Sequence, residues 1–124
     1  MKKCILIFDD DPQILMVCKI ILERQDFQVE IRHFCDDIIK DINKVKPDVV
    51  LMDLWIPLVG GEAAITLMKN DSETRQIPII LFSANAEIEV VARRARANGF
   101  LRKPFDINEL LGIIQKFIVA PPVS

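Results

Sequence analysis

Four acidic residues at the ends of apolar runs are the first candidates for chemistry in this sequence. Asp9, Asp10 and Asp11 follow a short apolar run near the start of the chain, and Asp53 ends another. An ionised carboxylate beside apolar residues is costly unless cations or hydrogen-bond donors receive it. Converging carboxylates repel one another unless a hard cation lies between them, and an octahedral set of oxygen ligands favours Mg²⁺. If the fold brings Asp53 to the acids of the first run, the sequence predicts a magnesium site.

Two later residues, Ser83 and Lys103, could complete such a site because each also follows an apolar run. The lysine offers a compact cation for a phosphoryl oxygen, and the serine hydroxyl could bond the same group. Each has an ordinary explanation as well, since a serine after a strand is usually a helix cap and an acidic cluster can cap a helix. Phe100 is by default a core aromatic. His33 has no second histidine with which to form a metal cluster.

The elements that would position these residues alternate between strands and helices. Strand-like runs cover 3–8, 27–31, 49–53, 77–82 and 100–102. Apolar residues at helical spacing cover 14–24, 38–45, 62–69, 86–97 and 107–118. This alternation over short loops predicts an α/β fold, a doubly wound five-stranded parallel sheet with five helices. In the flavodoxin-like order 2-1-3-4-5 the first and third strands are neighbours, so the first acids would meet Asp53.

Acidic residues also mark where three of the helices begin. Asp10 or Asp11 can cap the first helix, Asp36 or Asp37 the second, and Asp106 the last. Short acidic side chains accept hydrogen bonds from the free amides of a first turn, which makes them good caps. The caps leave two alternatives open, one in each of the first two helices.

Length and charge limit the number of domains and the class of partner. A chain of 124 residues with 51% apolar residues supports one well-buried domain, which we expect over 1–119, with 120–124 as a tail or the start of a linker. The net charge is −2, and no lysine or arginine cluster suggests a phosphate-backbone footprint. Nucleic acid is therefore not expected as a direct partner.

The cysteines and the absence of long apolar runs indicate the compartment. Cys4, Cys18 and Cys35 are odd in number and lack CxxC spacing, as is typical of buried reduced thiols. No apolar run approaches membrane-spanning length, and the first run is too short for a signal peptide. We expect a cytoplasmic protein without a membrane partner.

Taken together and in order, these residues resemble those of a known family. The chain resembles the receiver domain of two-component response regulators over nearly all of 3–119. The matching motifs are Asp9-Asp10, Asp53 with Pro57 and Gly61 behind it, Ser83-Ala84, Phe100, and Lys103-Pro104-Phe105. Each motif is weak alone, but the ordered set is highly specific.

The resemblance implies a phosphorylation switch. Asp53 would accept a phosphoryl group from a histidine kinase or phosphotransfer protein, with Mg²⁺ held by Asp10 directly, by Asp9 through water, by Asp53 and by the backbone carbonyl of Trp55. Such a protein catalyses only its own phosphorylation and dephosphorylation.

The resemblance also assigns the switch itself. Lys103 would pair with the phosphate, Ser83 would bond the phosphoryl group, and Phe100 would turn inward. The Lys103-Pro104 peptide is expected to be cis. Expected partners are the phosphodonor and a downstream effector domain or protein. A homodimer through helix four, strand five and helix five, where Arg93 and Arg94 lie, is a further possibility.

Three positions depart from the family pattern. Arg96 replaces the usual glycine before Ala97, which puts the left-handed end of helix four in question. Gly60 stands at a position that is often acidic, and Phe100 lacks the hydroxyl of the commoner tyrosine.

Two rival functions remain at the level of sequence. A haloacid-dehalogenase-like phosphatase would use Asp9 and Asp11, but it needs a later acidic pair where only Asp106 is found, and it gives Asp53 no role. A non-phosphorylated pseudo-receiver would keep the fold as a binding module, although the complete set of acids, serine and lysine argues against it.

Overall fold

A computed structural model describes residues 2–118 and contains one five-stranded parallel sheet with strand order β2-β1-β3-β4-β5. The strands are β1 Cys4–Phe8, β2 Gln28–Arg32, β3 Val49–Asp53, β4 Ile79–Ser83 and β5 Gly99–Arg102. The helices are α1 Pro12–Glu23, α2 Ile38–Val45, α3 Gly61–Asn70, α4 Ile88–Ala95 and α5 Ile107–Gln115. The predicted fold class and strand order are confirmed. The expected tail at 120–124 lies outside the described residues, and the domain boundary at 119 stays a prediction.

Helices cover both faces of the sheet, which explains why the inner strands read as continuous apolar runs. Every residue of β1, β3 and β4 is buried. Alternate strand residues pack against α2, α3 and α4 on one face, as Leu6 does, or against α1 and α5 on the other, as Ile7 does. Within the described residues, no helix is both long enough and apolar enough to cross a bilayer.

Side-chain caps begin three helices and resolve the two open alternatives. Asp11 caps α1 by accepting the Gln13 amide at 2.9 Å. Asp37 caps α2, accepting the Lys40 amide at 3.1 Å. Asp106 caps α5 as predicted, within a reciprocal capping box.

The expectation that Arg96 disfavours a left-handed helix end is wrong. Arg96 has φ 67° and ψ 33° at the C-terminal cap of α4. A side chain in this region costs about 1–2 kcal/mol. Hydrogen bonds offset the cost, because the Arg96 amide donates to the Arg93 carbonyl at 3.2 Å and its guanidinium donates to the side chain of Asn70.

Several element boundaries also differ from the sequence prediction, as in the fourth strand and the fourth helix. The fourth strand starts at Ile79 because the Ile77 amide is used in a turn, donating to the Thr74 carbonyl at 3.0 Å, and Pro78 has no amide. The fourth helix is shorter than 86–97 because its first turn begins only at Ile88.

The three cysteines are buried free thiols, as predicted. Cys18 packs on the face covered by α1 and α5, and Cys35 packs on the opposite face. Burial, reinforced by nearby carboxylates, raises the pKa of each of these two thiols to about 12.

Candidate functional site

The carboxyl ends of four parallel strands bring the predicted site residues to one edge of the sheet. Asp9 follows β1, Asp53 ends β3, Ser83 ends β4 and Lys103 follows β5. The register keeps the ends level, since Asp53 pairs with Phe82 and the Lys103 amide donates to the Ser83 carbonyl at 3.0 Å. The predicted meeting of the first acids with Asp53 is therefore observed.

Three carboxylates form the centre of the site. One side-chain oxygen each from Asp9, Asp10 and Asp53 lies within 4.8 Å of the others. Asp9 is 1% exposed and Asp53 is 4% exposed, while Asp10 is open to solvent. Asp11 also lines the crevice over this cluster, but it is not part of the carboxylate group, and its side chain caps α1. The phosphatase alternative needs Asp11 as a catalytic acid, whereas its carboxylate here accepts the Gln13 amide as a helix cap.

Lys103 supplies the positive charge. Its Nζ lies 2.7 Å from Asp9 Oδ2 and 3.1 Å from Asp53 Oδ1, and 4.6 Å from the centroid of the Phe82 ring. Charge-assisted hydrogen bonds of this length hold the ammonium group between the two buried carboxylates.

Burial and charge perturb both partners of this pair. Burial raises the pKa of Asp53, and the charge of Asp9 adds to the increase while Lys103 opposes it. Burial alone would lower the pKa of Lys103, but its hydrogen bond to Asp9 and the charge of Asp53 raise it overall. Three carboxylates around one ammonium leave the site short of positive charge, which is the condition that a bound divalent cation relieves.

Ser83 is buried at the end of β4 and takes part in the following turn. Its Oγ accepts the Asn85 amide at 3.0 Å, and the Asn85 side chain accepts the Glu87 amide at 2.7 Å. The serine therefore stabilises a turn, and its ordinary explanation as a helix cap is not observed, because α4 begins only at Ile88 with Glu87 at its cap position. The hydroxyl hydrogen is not used by that bond and can still be donated to a group in the site.

The loop between β3 and α3 borders the site through Trp55 and is held by backbone hydrogen bonds. The Gly61 amide donates to the Leu54 carbonyl at 2.9 Å. The loop is tied to the segment before α2, because Cys35 donates to the Pro57 carbonyl at 3.2 Å and accepts the Val59 amide at 2.9 Å. In this loop Trp55, two residues beyond Asp53, is 70% exposed.

Phe100 is half-buried on β5 and packs against the α4 side of the core. The Arg102 guanidinium carbon lies 5.7 Å from the Phe100 ring centroid, and Arg102 Nη1 lies 3.5 Å from the Ala86 carbonyl oxygen. The Lys103-Pro104 peptide is cis, as the resemblance implied. His33 is exposed and belongs to no ligand cluster among residues 2–118.

A crevice of about 250 Å³ opens over the cluster. Its lining includes the predicted residues Asp9, Asp10, Asp53, Trp55, Ser83 and Lys103, together with Asp11, Ile14, Ala84 and Asn85. Ile14 and Asn85 were not predicted. Asn85 could have been suspected from its place two residues after Ser83, but Ile14 carries no signal beyond its core-like spacing on α1.

Comparison with known proteins gives consistent matches. The sequence model of the family described as response regulator receiver domain matches residues 5–115 of this chain. The phosphate regulon transcriptional regulatory protein PhoB of Klebsiella pneumoniae is 30% identical over 117 residues, which cover 93% of this chain and 51% of that protein. The chain spans about half or less of the length of the first curated relatives that it matches.

Solved structures agree with the sequence matches. The CheY-like receiver domain protein from Methanospirillum hungatei has a TM-score of 0.83 at 26% identity, covering 94% of this chain and 93% of that one. The chemotaxis response regulator CheY4 of Vibrio cholerae has a TM-score of 0.86 at 22% identity, covering 95% of this chain and 100% of that one. The chain belongs to the response regulator receiver domain family.

Proposed function

We propose that Asp53 accepts a phosphoryl group from the phosphohistidine of a histidine kinase or phosphotransfer protein. An Asp53 carboxylate oxygen forms the new P–O bond while the P–N bond breaks, and the electron pair of that bond stays on the imidazole nitrogen. The observation that carries the proposal is the position of Asp53, buried at the floor of an open crevice between two other carboxylates and Lys103. Phosphoryl transfer of this kind depends on positioning and charge neutralisation more than on a strong base.

The carboxylate cluster fits a magnesium ion. Asp9, Asp10 and Asp53 would hold it, because one side-chain oxygen of each converges in a site that lacks positive charge. The backbone carbonyl of Trp55 would complete the protein ligands, as the family resemblance implies. Bound there, Mg²⁺ would neutralise charge on the phosphoryl oxygens. Lys103 Nζ lies 3.1 Å from Asp53 Oδ1 and would pair with the phosphoryl group on that residue.

Ser83 and Phe100 would convert phosphorylation into a change of surface. The Ser83 hydroxyl faces the same crevice as Asp53 and would donate to the phosphoryl group, drawing the turn at Asn85 inward. The half-buried Phe100 ring would then move further in beside α4. In this proposal the protein catalyses only its own phosphorylation and dephosphorylation.

The partners follow from the same proposal. The phosphodonor is a histidine kinase or phosphotransfer protein, and the output is a downstream effector domain or protein in the cytoplasm. The PhoB relative is named as a transcriptional regulator. Direct nucleic-acid binding by this domain is not proposed, given the net charge of −2. A homodimer through α4, β5 and α5 is compatible with the exposed Arg93 and Arg94.

The decisive experiment is incubation with a small-molecule phosphodonor with and without Mg²⁺. We expect an alkali-labile acyl phosphate that requires Mg²⁺ and is lost in Asp53→Asn. Asp36→Asn is the matched control, because Asp36 is an exposed acid outside the crevice. Label that survives Asp53→Asn, or that appears on a serine or histidine, would contradict the proposal.

A further inference from the structure

Helix α4 has few local features to hold it in place. It has eight residues, and an isolated helix of that length is unstable in water. Among residues 2–118 no side chain caps its first turn, and its last turn ends in the left-handed Arg96. Two of its four buried residues are Ala92 and Ala95, which bury little apolar area. The position of α4 must therefore depend on contacts with its neighbours.

An open space separates part of α4 from the loop before α3. A crevice of about 370 Å³ runs between the two, with Trp55, Val59 and Gly60 on one side and Asn85 and Val91 on the other. This space adjoins the turn at Asn85, which also lines the crevice above Asp53. Close packing consequently does not fix α4 against α3 on the side that faces the site.

One ion pair bridges this space. Arg94 in the last turn of α4 donates from Nε to Glu62 Oε2 at 2.6 Å and from Nη2 to Oε1 at 2.8 Å, and Glu62 lies in the first turn of α3. The hydrogen bond to Arg94 lowers the pKa of Glu62, and the pKa of Arg94 is raised in return. Each charge also suits the end of its own helix dipole.

We propose that the Glu62–Arg94 pair is a latch that holds α4 in its resting position and so sets how readily the domain switches. A single exposed ion pair usually contributes little, but a bidentate pair between two elements restrains their relative position. The effect of the latch on switching rests on the proposed phosphorylation of Asp53, whereas the restraint of α4 by the ion pair does not.

Hydrogen exchange of the α4 amides in the unphosphorylated protein tests the latch, with α5 amides as an internal reference. We expect Glu62→Gln to speed exchange in α4 roughly two- to fivefold, and Arg94→Gln to do the same. The matched control is Glu89→Gln, which removes an exposed ion pair with Arg93 at 3.4 Å that lies wholly within α4. It should leave α4 positions beyond its own turn unchanged.

Charge reversal separates an ion pair from a general loss of stability. Glu62→Arg places two cations together and should speed α4 exchange more than Glu62→Gln does. Adding Arg94→Glu to Glu62→Arg restores a pair of opposite charges and should return the α4 exchange rate toward that of the wild type. Equal exchange in Glu62→Gln and Glu89→Gln, or faster exchange throughout the sheet, would overturn the latch.

A second measurement keeps the latch and the proposed function apart. In an Asp53→Asn background, Glu62→Gln should speed α4 exchange by the same factor, since no phosphorylation is needed. In the protein with Asp53 intact, Glu62→Gln should reach half-maximal phosphorylation at a lower phosphodonor concentration than Glu89→Gln. Unchanged α4 exchange refutes the latch even if Asp53 is phosphorylated, whereas unphosphorylated Asp53 refutes only the proposed function.

Discussion

Gly61 is the position where one added methyl group should do most damage to both fold and site. A Cβ there would lie 2.3 Å from the Asp53 carbonyl oxygen, 2.7 Å from the Leu54 Cα and 2.9 Å from the Leu54 carbonyl oxygen. All three neighbours are backbone atoms, so no side chain can rotate away. To reach even a 3.0 Å contact, the start of α3 or the end of β3 must move by about 0.7 Å.

The cost of Gly61→Ala follows from that displacement. Forcing a methyl group into a packed region costs about 1–3 kcal/mol. The hydrogen bond from the Gly61 amide to the Leu54 carbonyl, 2.9 Å long, would be stretched at a further cost of about 1 kcal/mol. The better helix propensity of alanine returns less than about 1 kcal/mol. We expect the free energy of unfolding to fall by about 1–4 kcal/mol.

Urea unfolding followed by far-UV circular dichroism measures this loss, and two other glycines serve as controls. A Cβ at Gly112 on α5 meets nothing within 4 Å in the described part of the chain, so Gly112→Ala should stabilise the protein by up to about 1 kcal/mol. Gly60→Ala also meets nothing within 4 Å among the described residues, but it has φ +86° and ψ 149°, a region that glycine alone adopts readily, so it isolates backbone strain and should cost about 1–3 kcal/mol. A Gly61→Ala protein within about 0.5 kcal/mol of wild type would refute the argument from close approach.

Three further predictions concern the charges of the site. The pKa of Asp53 is raised in the folded state, so its ionised form lowers the stability of the protein above that pKa. Urea unfolding at pH 7.5 should therefore show that Asp53→Asn gains roughly 1 kcal/mol, and this gain should vanish near pH 3.5. A loss of stability at pH 7.5 would contradict this. Lys103→Met leaves two buried carboxylates without their cation, so it should lose about 3 kcal/mol at pH 7.5 and less in acid, and an equal loss at both pH values would exclude a charge effect. Mg²⁺ should change the fluorescence of the exposed Trp55, which lines the crevice over the carboxylates, and Asp10→Ala should weaken that change by removing a ligand. Asp11→Ala should leave the change intact and cost about 1 kcal/mol through its lost cap; the reverse pattern would reassign the two acids.

The sequence predicted the sheet because its signals are local. Apolar runs that stop at Asp9, Asp53 and Lys103 identify strand ends, and the topology of parallel α/β sheets then brings those ends together. Position at the edge of the sheet could therefore be inferred for each site residue before any distance was known. Helix starts were equally accessible, since Asp11 and Asp37 were each one of two candidates.

The remaining features depend on contacts between residues that are distant in the chain. Glu62 and Arg94 each look like ordinary solvated charges on a helix, and nothing in their spacing indicates that they meet. Arg96 was misjudged because its left-handed backbone is compensated by Asn70, 26 positions earlier. Backbone pairing between Cys35 and Leu58, an isolated β-bridge, likewise joins two loops whose sequences contain no strand pattern.

Two of the buried cysteines, Cys18 and Cys35, should react only slowly with thiol reagents while the protein is folded. With pKa values of about 12, Cys18 and Cys35 are thiolates at pH 7 only to the order of one part in 10⁵, and neither is exposed. Alkylation of either thiol therefore requires local unfolding of the helices that cover it. Because the two thiols lie on opposite faces of the sheet, their separate labelling rates would report how often each helical layer detaches, without any introduced probe.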